Sequence, residues 1–159
     1  MNALVWVANI LGWPIVHLTI GFASIRLPSA FFAHDNWVTA PRRWEAGGRV
    51  YRNWAGVRKG KSLLPDGAPW IGGFAKKKLS TRELGYLEYF ILETRRAEIA
   101  HWCMLACLPV FFLWNPPWAR WVMTAYALAA NFPCILAQRY NRLTIDRVAQ
   151  SRRRSFAQS

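Results

Sequence analysis

The sequence predicts an all-α integral membrane protein. We expect about three transmembrane helices, an amphipathic interfacial helix and an irregular, basic, aromatic-rich cytoplasmic loop. Residues 3–25 contain no Asp, Glu, Lys or Arg, and a run of this length can cross a hydrocarbon core of about 30 Å. The 159 residues also include ten tryptophans, a residue type that concentrates at the lipid headgroups.

The charge and the cysteines exclude other classes of protein. The formal net charge is +13, from 21 Lys+Arg against 8 Asp+Glu. These charges flank apolar runs, so anionic headgroups and membrane topology explain them better than nucleic acid does. Cys103, Cys107 and Cys134 are odd in number, lie in predicted spans and form no CxxC motif. This pattern argues against a disulfide framework and a cysteine-ligated zinc site.

The first predicted span covers residues 3–25. It lacks the basic start and the small-residue cleavage site of a signal peptide, so we expect a spanning helix, kinked at Pro14. His17 lies nine residues before Arg26, which places it about 13 Å deeper at 1.5 Å per residue. We expect His17 to bond a neighbouring helix, with a proton shuttle as the alternative.

Residues 27–80 form the predicted loop. Seven of the ten glycines and four prolines lie here, which argues against long helices. Ten Lys/Arg oppose three Asp/Glu, and aromatic residues recur throughout, so we expect the loop to fold against the membrane face. Cytoplasmic topology explains most of the charge, although such a surface also suits an anionic substrate group.

Two further spans follow. Leu84, Leu87 and Ile91 lie on one helical stripe, and a helix over residues 83–114 would measure about 48 Å. Because this exceeds the hydrocarbon core, residues 81–96 are predicted to be interfacial and residues 97–114 to be span two. After a proline-containing turn, residues 121–137 are predicted to be span three and residues 138–159 a basic tail.

Loop charges give the orientation. The long loop and the tail are rich in Lys/Arg, whereas the turn between spans two and three has only Arg120. The positive-inside rule therefore predicts a multi-pass protein of the cell membrane, with the long loop and the C-terminus cytoplasmic.

An antiparallel pairing of spans two and three brings polar residues together. With the turn near residues 117–118, His101 faces about residue 134 and Glu98 about residue 137. Polar groups at one depth in two spans indicate a functional site. The converging residues are Glu93, Glu98, His101, Asn131, Gln138, Arg139 and Asn141.

These residue types suit acyl transfer. Glu98 and His101 are i, i+3 neighbours on a helix, so the carboxylate is expected to orient the imidazole as a general base, with Glu93 a further catalytic candidate. Arg139 and Asn131 would stabilise a developing oxyanion. Cys134 as a covalent nucleophile is an alternative. Two other functions stay open: a non-catalytic lipid-binding or assembly subunit, and a cofactor-dependent membrane reductase.

Other chemistries lack their motifs. The sequence has no G-x-S-x-G elbow, no P-loop and no G-x-G-x-x-G fingerprint. Three histidines are too few for a clustered-histidine di-iron site, and Glu98-x-x-His101 lacks the second such pair that a di-iron bundle needs. We therefore expect no metal, no cofactor and no nucleic-acid partner.

Five sequence blocks carry a family resemblance. They are Trp44-Glu45-x-Gly47-Gly48-Arg49-x-Tyr51, Leu64-Pro65, Gly72-Gly73-Phe74-x-Lys76-Lys77, Glu93-Thr94-Arg95-Arg96-Ala97-Glu98-x-x-His101-Trp102 and Asn131-x-Pro133-Cys134-Ile135-x-x-Gln138-Arg139-Tyr140-Asn141-Arg142. The chain resembles the bacterial glycosyl-4,4'-diaponeurosporenoate acyltransferase family. It departs from the expected pattern at residues 60–62, where Gly60-Lys61-Ser62 replaces a Trp-Lys-Asp run.

The resemblance implies an acyltransferase that esterifies a sugar hydroxyl of a glycosylated carotenoid or related glycolipid. Its substrates would be an acyl thioester donor and a lipid-linked glycosyl acceptor. The resemblance adds Glu45 and Lys61 to the substrate-binding candidates Asn131, Gln138, Arg139 and Asn141. Three spans make a thin wall around a long acyl chain, which favours a homodimer in the bilayer.

Overall fold

The computed structural model describes residues 2–54, 72–74, 81 and 83–158, and the regular structure in these ranges is helical, without strands. The predicted all-α class is confirmed. The α-helices are α1 (Ala3–Arg26), α2 (Arg49–Trp54), α3 (Leu84–Ala106), α4 (Leu108–Phe111) and α5 (Pro117–Ala157), and Ser29–Phe32 and Arg43–Gly48 are 3₁₀ turns.

Helix α1 matches the first predicted span. The Asn2 side chain caps its start by accepting a 3.1 Å hydrogen bond from the Val5 amide. The helix ends at Arg26, where Leu27 is extended before Pro28. Among the described residues, α1 is the one helix long and apolar enough to cross a membrane by length and composition. The count of three spans stays a prediction.

Helices α3 and α5 form an antiparallel hairpin. At one end, Leu87 and Phe90 of α3 pack with Ile145 and Ala149 of α5. At the other end, Phe111 of α4 packs with α5 residues near the start of that helix. Neither long helix breaks at the predicted membrane boundaries: α3 runs through residues 96–97 and α5 through residues 137–138. Helices that cross such boundaries are compatible with interfacial and spanning halves.

Helix α1 docks on this hairpin by close packing. The rings of Trp13 and Phe111 stack with centroids 4.4 Å apart and planes 5° apart. A Cβ at Gly12 would lie 2.8 Å from Cε1 of Phe111, so the glycine permits this approach. The amides of Asn9 and Asn115 exchange two 2.8 Å hydrogen bonds at the same end. These contacts fix the position of α1 along the hairpin.

The described part of the predicted loop folds against the hairpin. Arg95 of α3 pairs with Asp35 at 2.7 Å and donates to the carbonyl of Ala33 at 2.9 Å. Arg96 donates to the carbonyls of Ser24 and Leu27, the latter at 2.9 Å. Two neighbouring arginines therefore hold the chain that leaves α1 against the middle of α3.

Candidate functional site

A buried ion cluster, formed by Glu45, Glu98, Arg139 and Arg142, joins the loop to the hairpin. Nε of Arg139 donates to Oε1 of Glu45 at 2.7 Å, and its Nη1 donates to Oε1 of Glu98 at 2.6 Å. Both carboxylates are completely buried, and the two arginines are nearly so. Buried charges require partners of this kind because the interior solvates them poorly.

The arginines of this cluster also bind the backbone of the loop. Arg139 donates to the carbonyls of Val38 at 2.9 Å and Ala40 at 3.0 Å, and Arg142 donates to Thr39 at 2.6 Å. Four of the five N–H groups of Arg139 are thereby engaged. This leaves Arg139 little capacity to support an oxyanion.

The second ion pair of Glu98 has a different character. Nη1 of Arg142 lies 2.6 Å from Oε2 of Glu98, but the contact between these two atoms does not have the geometry of a hydrogen bond. Nε of Arg142 has no hydrogen-bond partner in the described part of the chain. The attraction between the two side chains is therefore mainly Coulombic. A buried donor without a partner is costly, and the charge of Glu98 offsets part of that cost.

A tight turn aims Glu45 into this cluster. Ala46, Gly47 and Gly48 all have positive φ angles, of 47°, 64° and 90°, so the chain reverses directly after Glu45. Two glycines accept this geometry without a side-chain clash, whereas Ala46 is strained. Glu45 also accepts hydrogen bonds from the backbone amide of Arg42 and from the hydroxyl of Tyr51.

These contacts set the ionisation of the turn. Burial alone would raise the pKa of Glu45, but hydrogen bonds from Arg139, Tyr51 and Arg42, with the charge of Arg139, hold it below its ordinary value of 4.5. Burial and the hydrogen bond to Glu45 raise the pKa of Tyr51. Burial opposes the charge on Arg139, but the two carboxylates outweigh it and raise its pKa. Glu45 and Arg139 are thus ionised at neutral pH, with Tyr51 a donor.

A second polar group lies further along the hairpin, where three helices meet. Nδ1 of His101 on α3 lies 2.9 Å from Oδ1 of Asn131 on α5. Nδ2 of Asn131 donates to the carbonyl of Ala127 at 2.9 Å, which helps to orient the amide, and lies 3.5 Å from Nε2 of His17 on α1. Asn131 is completely buried, and both imidazoles are half-buried.

This geometry determines the tautomer of His101. An amide oxygen only accepts hydrogen bonds, so Nδ1 of His101 carries the hydrogen. In the neutral ring, Nε2 therefore carries the lone pair and is the basic atom. Trp102 and Phe132, which follow His101 and Asn131, are 39% and 46% exposed. Each of the two hydrogen-bonded residues is thus followed by an exposed aromatic side chain.

The expected contact between Glu98 and His101 is not the one that forms. The carboxylate turns towards Arg139 and Arg142, and the imidazole bonds Asn131. The physical reason is charge: two guanidinium groups attract a buried carboxylate more strongly than a neutral ring does. The structure instead brings His101 together with Asn131, and Glu98 with Glu45 and Arg139.

The other predicted site residues lie in several places. Glu93 is buried and pairs with Arg96 at 2.9 Å, and Asn141 is buried. Gln138 is half-buried, and its Oε1 has no hydrogen-bond partner in the described ranges. Lys61 and the departure at residues 60–62 fall outside the described residues.

Three residues of the site were not among the predicted site residues. Arg142 and Tyr51 complete the buried ion cluster, and His17 approaches Asn131 from α1. The i, i+3 spacing of Arg139 and Arg142 could have identified Arg142 as a second partner of Glu98.

Cys134, the alternative nucleophile, donates from Sγ to the carbonyl of Ala130 at 3.6 Å. Within the described ranges, no three His, Cys, Asp or Glu side chains group closely enough to hold a metal ion.

Comparison with known proteins assigns the chain to a family. The model of the glycosyl-4,4'-diaponeurosporenoate acyltransferase family matches residues 31–151. Proteins of that name from Staphylococcus aureus strains MRSA252, bovine RF122 / ET3-1 and USA300 are each 33% identical over 132 residues, which cover 82% of this chain and 79% of the relative. No solved structure matches. The chain therefore belongs to the glycosyl-4,4'-diaponeurosporenoate acyltransferase family and is an acyltransferase.

Proposed function

We propose that this protein transfers a fatty acyl chain from an acyl thioester to a sugar hydroxyl of a glycosylated carotenoid or a related glycolipid, with His101 as the general base. Family membership supports the reaction class, and the names of the relatives support the acceptor. The observation that carries the role of His101 is its 2.9 Å hydrogen bond with Asn131, which directs the lone pair to Nε2.

The reaction needs one basic atom and balances without a cofactor. Nε2 of His101 takes the proton of the sugar hydroxyl while the hydroxyl oxygen attacks the carbonyl carbon of the thioester. A C–O bond forms and the C–S bond breaks. The departing sulfur takes the proton from Nε2 and leaves as a thiol, which returns the imidazole to its neutral form.

The buried ion cluster has a structural role, one turn of α3 away from this base. Glu45, Glu98 and Arg139 bind one another, so we assign them to holding the loop and hairpin together rather than to contact with substrate. Glu93 has the same role through Arg96. Gln138, Asn141 and Lys61 stay the acceptor-binding candidates, and the carbonyl oxygen of Gln138 suits a sugar hydroxyl donor.

The proposed membrane placement puts the base near the bilayer edge. Helix α1, residues 97–114 and residues 121–137 would cross the bilayer, with the long loop and the C-terminus cytoplasmic, in the cell membrane. Large apolar side chains on all three segments are exposed, which supports contact with lipid. They include Leu4, Ile10, Leu18, Val110, Leu113, Trp121, Val122 and Leu128. A homodimer would enclose a long acyl chain better than one copy.

The test is acylation by purified protein in detergent or nanodiscs. The glycosylated carotenoid and a fatty acyl thioester are supplied, and the ester product is measured by mass spectrometry. We expect His101→Ala to lower kcat about 10²-fold or more, because the proton acceptor is lost. His34→Ala, at an exposed histidine of the loop, is the matched control and should keep wild-type activity.

Two results would contradict the proposal. Wild-type acylation by His101→Ala would remove the general base. A well-folded wild-type protein that forms no ester with this donor and acceptor would instead favour a different acyl acceptor, or the non-catalytic lipid-binding role in which polar residues only join the helices.

A further inference from the structure

Helix α1 presents one polar and aromatic stripe to the hairpin. Asn9, Trp13 and His17 are spaced by four residues and so lie on one face of the helix. Asn9 and Trp13 are buried against the turn end of the hairpin, where Asn9 bonds Asn115 and Trp13 stacks on Phe111. His17 continues this face towards the site. The helix precedes residues 31–151, the part of the chain that matches the family model.

The contacts of Asn131 explain why a residue of α1 matters there. Its amide nitrogen has two hydrogens, one directed to the carbonyl of Ala127 and the other to Nε2 of His17 at 3.5 Å. Its oxygen bonds His101. A rotated amide would place its oxygen against the Ala127 carbonyl and its hydrogens against Nδ1 of His101. Two acceptors from two helices therefore hold the amide in the orientation that sets the tautomer of His101.

The ring of His17 is itself held in place. Its centroid lies 5.9 Å from that of Trp13, and Trp13 is fixed by the stacked ring of Phe111. Because the amide of Asn131 is a donor to Nε2, this nitrogen of His17 must carry a lone pair. His17 is then the acceptor in a chain that runs from α1 through Asn131 to His101.

We propose that His17 is a positioning residue for acyl transfer, acting through Asn131 on the basic nitrogen of His101. This role rests on the proposed function. In this role, α1 contributes a residue to the active site and is not only a membrane helix. Loss of the acceptor at residue 17 should loosen the amide of Asn131 and populate the tautomer in which Nε2 of His101 carries the hydrogen, which cannot act as the base.

The first test is a spectroscopic measurement that needs no activity. Purified protein with ¹⁵N-labelled histidine is examined by NMR in detergent, with His17→Phe and His101→Ala used to assign the signals. In the wild type, we expect Nε2 of both His17 and His101 to show the shift of an unprotonated nitrogen. A protonated Nε2 of His17 in neutral wild-type protein would overturn the proposal.

The second test separates positioning from folding. His17→Phe keeps a ring but loses the acceptor, and we expect it to lower kcat about 10-fold or more, with the KM for the acceptor nearly unchanged, and to change the His101 tautomer. His17→Gln restores an acceptor and should recover most of the rate. Thr19→Val, on the exposed face of α1, is the control for changes within this helix.

The outcomes distinguish this inference from the proposed function. Wild-type kcat in His17→Phe, with activity lost in His101→Ala, would overturn the role of His17 and leave the general base in place. Full activity in His101→Ala would refute the proposed function, and the tautomer measurement would still decide whether His17 and Asn131 orient the ring. If His17→Phe does not fold, His17→Gln is the deciding variant. Loss of either the activity or the wild-type His101 tautomer in His17→Gln would overturn the role.

Discussion

At the scale of single residues, Glu98 has the most demanding environment. It is completely buried and faces two guanidinium groups, each 2.6 Å away. Desolvation of such charges costs about as much as their attraction returns, so the pairs add little net stability. Removal of one partner is different, because it leaves the remaining charges buried without compensation.

We therefore expect Glu98→Gln to lower the stability by about 3 to 5 kcal/mol, as for other broken buried ion pairs. Thermal unfolding in detergent would show a Tm lower by roughly 10 °C. The matched control is Glu88→Gln, which breaks the exposed pair with Arg153 at 2.7 Å and should cost about 1 kcal/mol or less. Equal losses in the two variants would show that the buried pair is no more important than the exposed one.

Glu45 predicts a pH dependence of stability. Its pKa in the folded protein lies below the ordinary 4.5, so the unfolded chain takes up a proton first as the pH falls. The stabilisation is fully present above pH 4.5 and is lost as the pH falls through the folded value. Tm measured from pH 7 down to pH 3.5 should fall more steeply in the wild type than in Glu45→Gln. Parallel curves would contradict this contribution.

At the scale of helices, the contact of α1 with the hairpin depends on Gly12. A methyl group there would meet the ring of Phe111, which is buried and stacked on Trp13, so the ring has little freedom to move. We expect Gly12→Ala to destabilise by about 1 to 3 kcal/mol, as overpacking does. Gly85→Ala on α3 is the control: outside its own stretch of helix, no atom of the described residues lies within 4 Å of the new Cβ, so a gain of about 0.5 to 1 kcal/mol is expected from helix propensity.

The register of the hairpin could be predicted from the sequence. Helical periodicity and a proline-containing turn near residues 117–118 place Glu98 opposite the region of Arg139, and His101 within one turn of Asn131. The structure shows both pairings. Regular helices around a short turn leave few alternative registers, which explains this success.

The contacts of the loop could not be predicted from local sequence patterns. Glu45, which directly precedes a turn with three positive φ angles, contacts Arg139 across 94 residues of sequence, and no periodicity indicates such a contact. Arg95 and Arg96 bind backbone carbonyls, which every residue has and which therefore leave no mark in the sequence. The expected contact between Glu98 and His101 was wrong for a related reason: helical spacing identified the two residues as neighbours, but not the stronger attraction of Glu98 to the arginines.

At the scale of the whole molecule, the exposed surface of the described residues is of two kinds. One half of the hairpin and most of α1 expose large apolar side chains, whereas the other half exposes the arginines of the C-terminal end of α5. Phe31, Trp37 and Trp44 are exposed between these halves, on the loop side. Aromatic rings at such a transition are typical of lipid headgroup depth.

This division predicts both membrane integration and orientation. The protein should remain in the membrane pellet after alkaline carbonate extraction, and a fluorescent protein fused after Ser159 should fold in the cytoplasm because the basic tail is retained there. A periplasmic reporter at the same position is the complementary control and should be inactive. Release by carbonate, or an active periplasmic reporter, would contradict the proposed topology.

The hydrogen bonds by which arginines hold the loop have a consequence for evolution. Arg139 and Arg142 donate hydrogen bonds to the backbone carbonyls of residues 38–40. A backbone carbonyl is still present after almost any substitution of its side chain. Related enzymes can therefore exchange the half-buried side chains of Val38 and Ala40 without releasing the loop from its scaffold, whereas the completely buried Thr39 leaves no room for a larger residue.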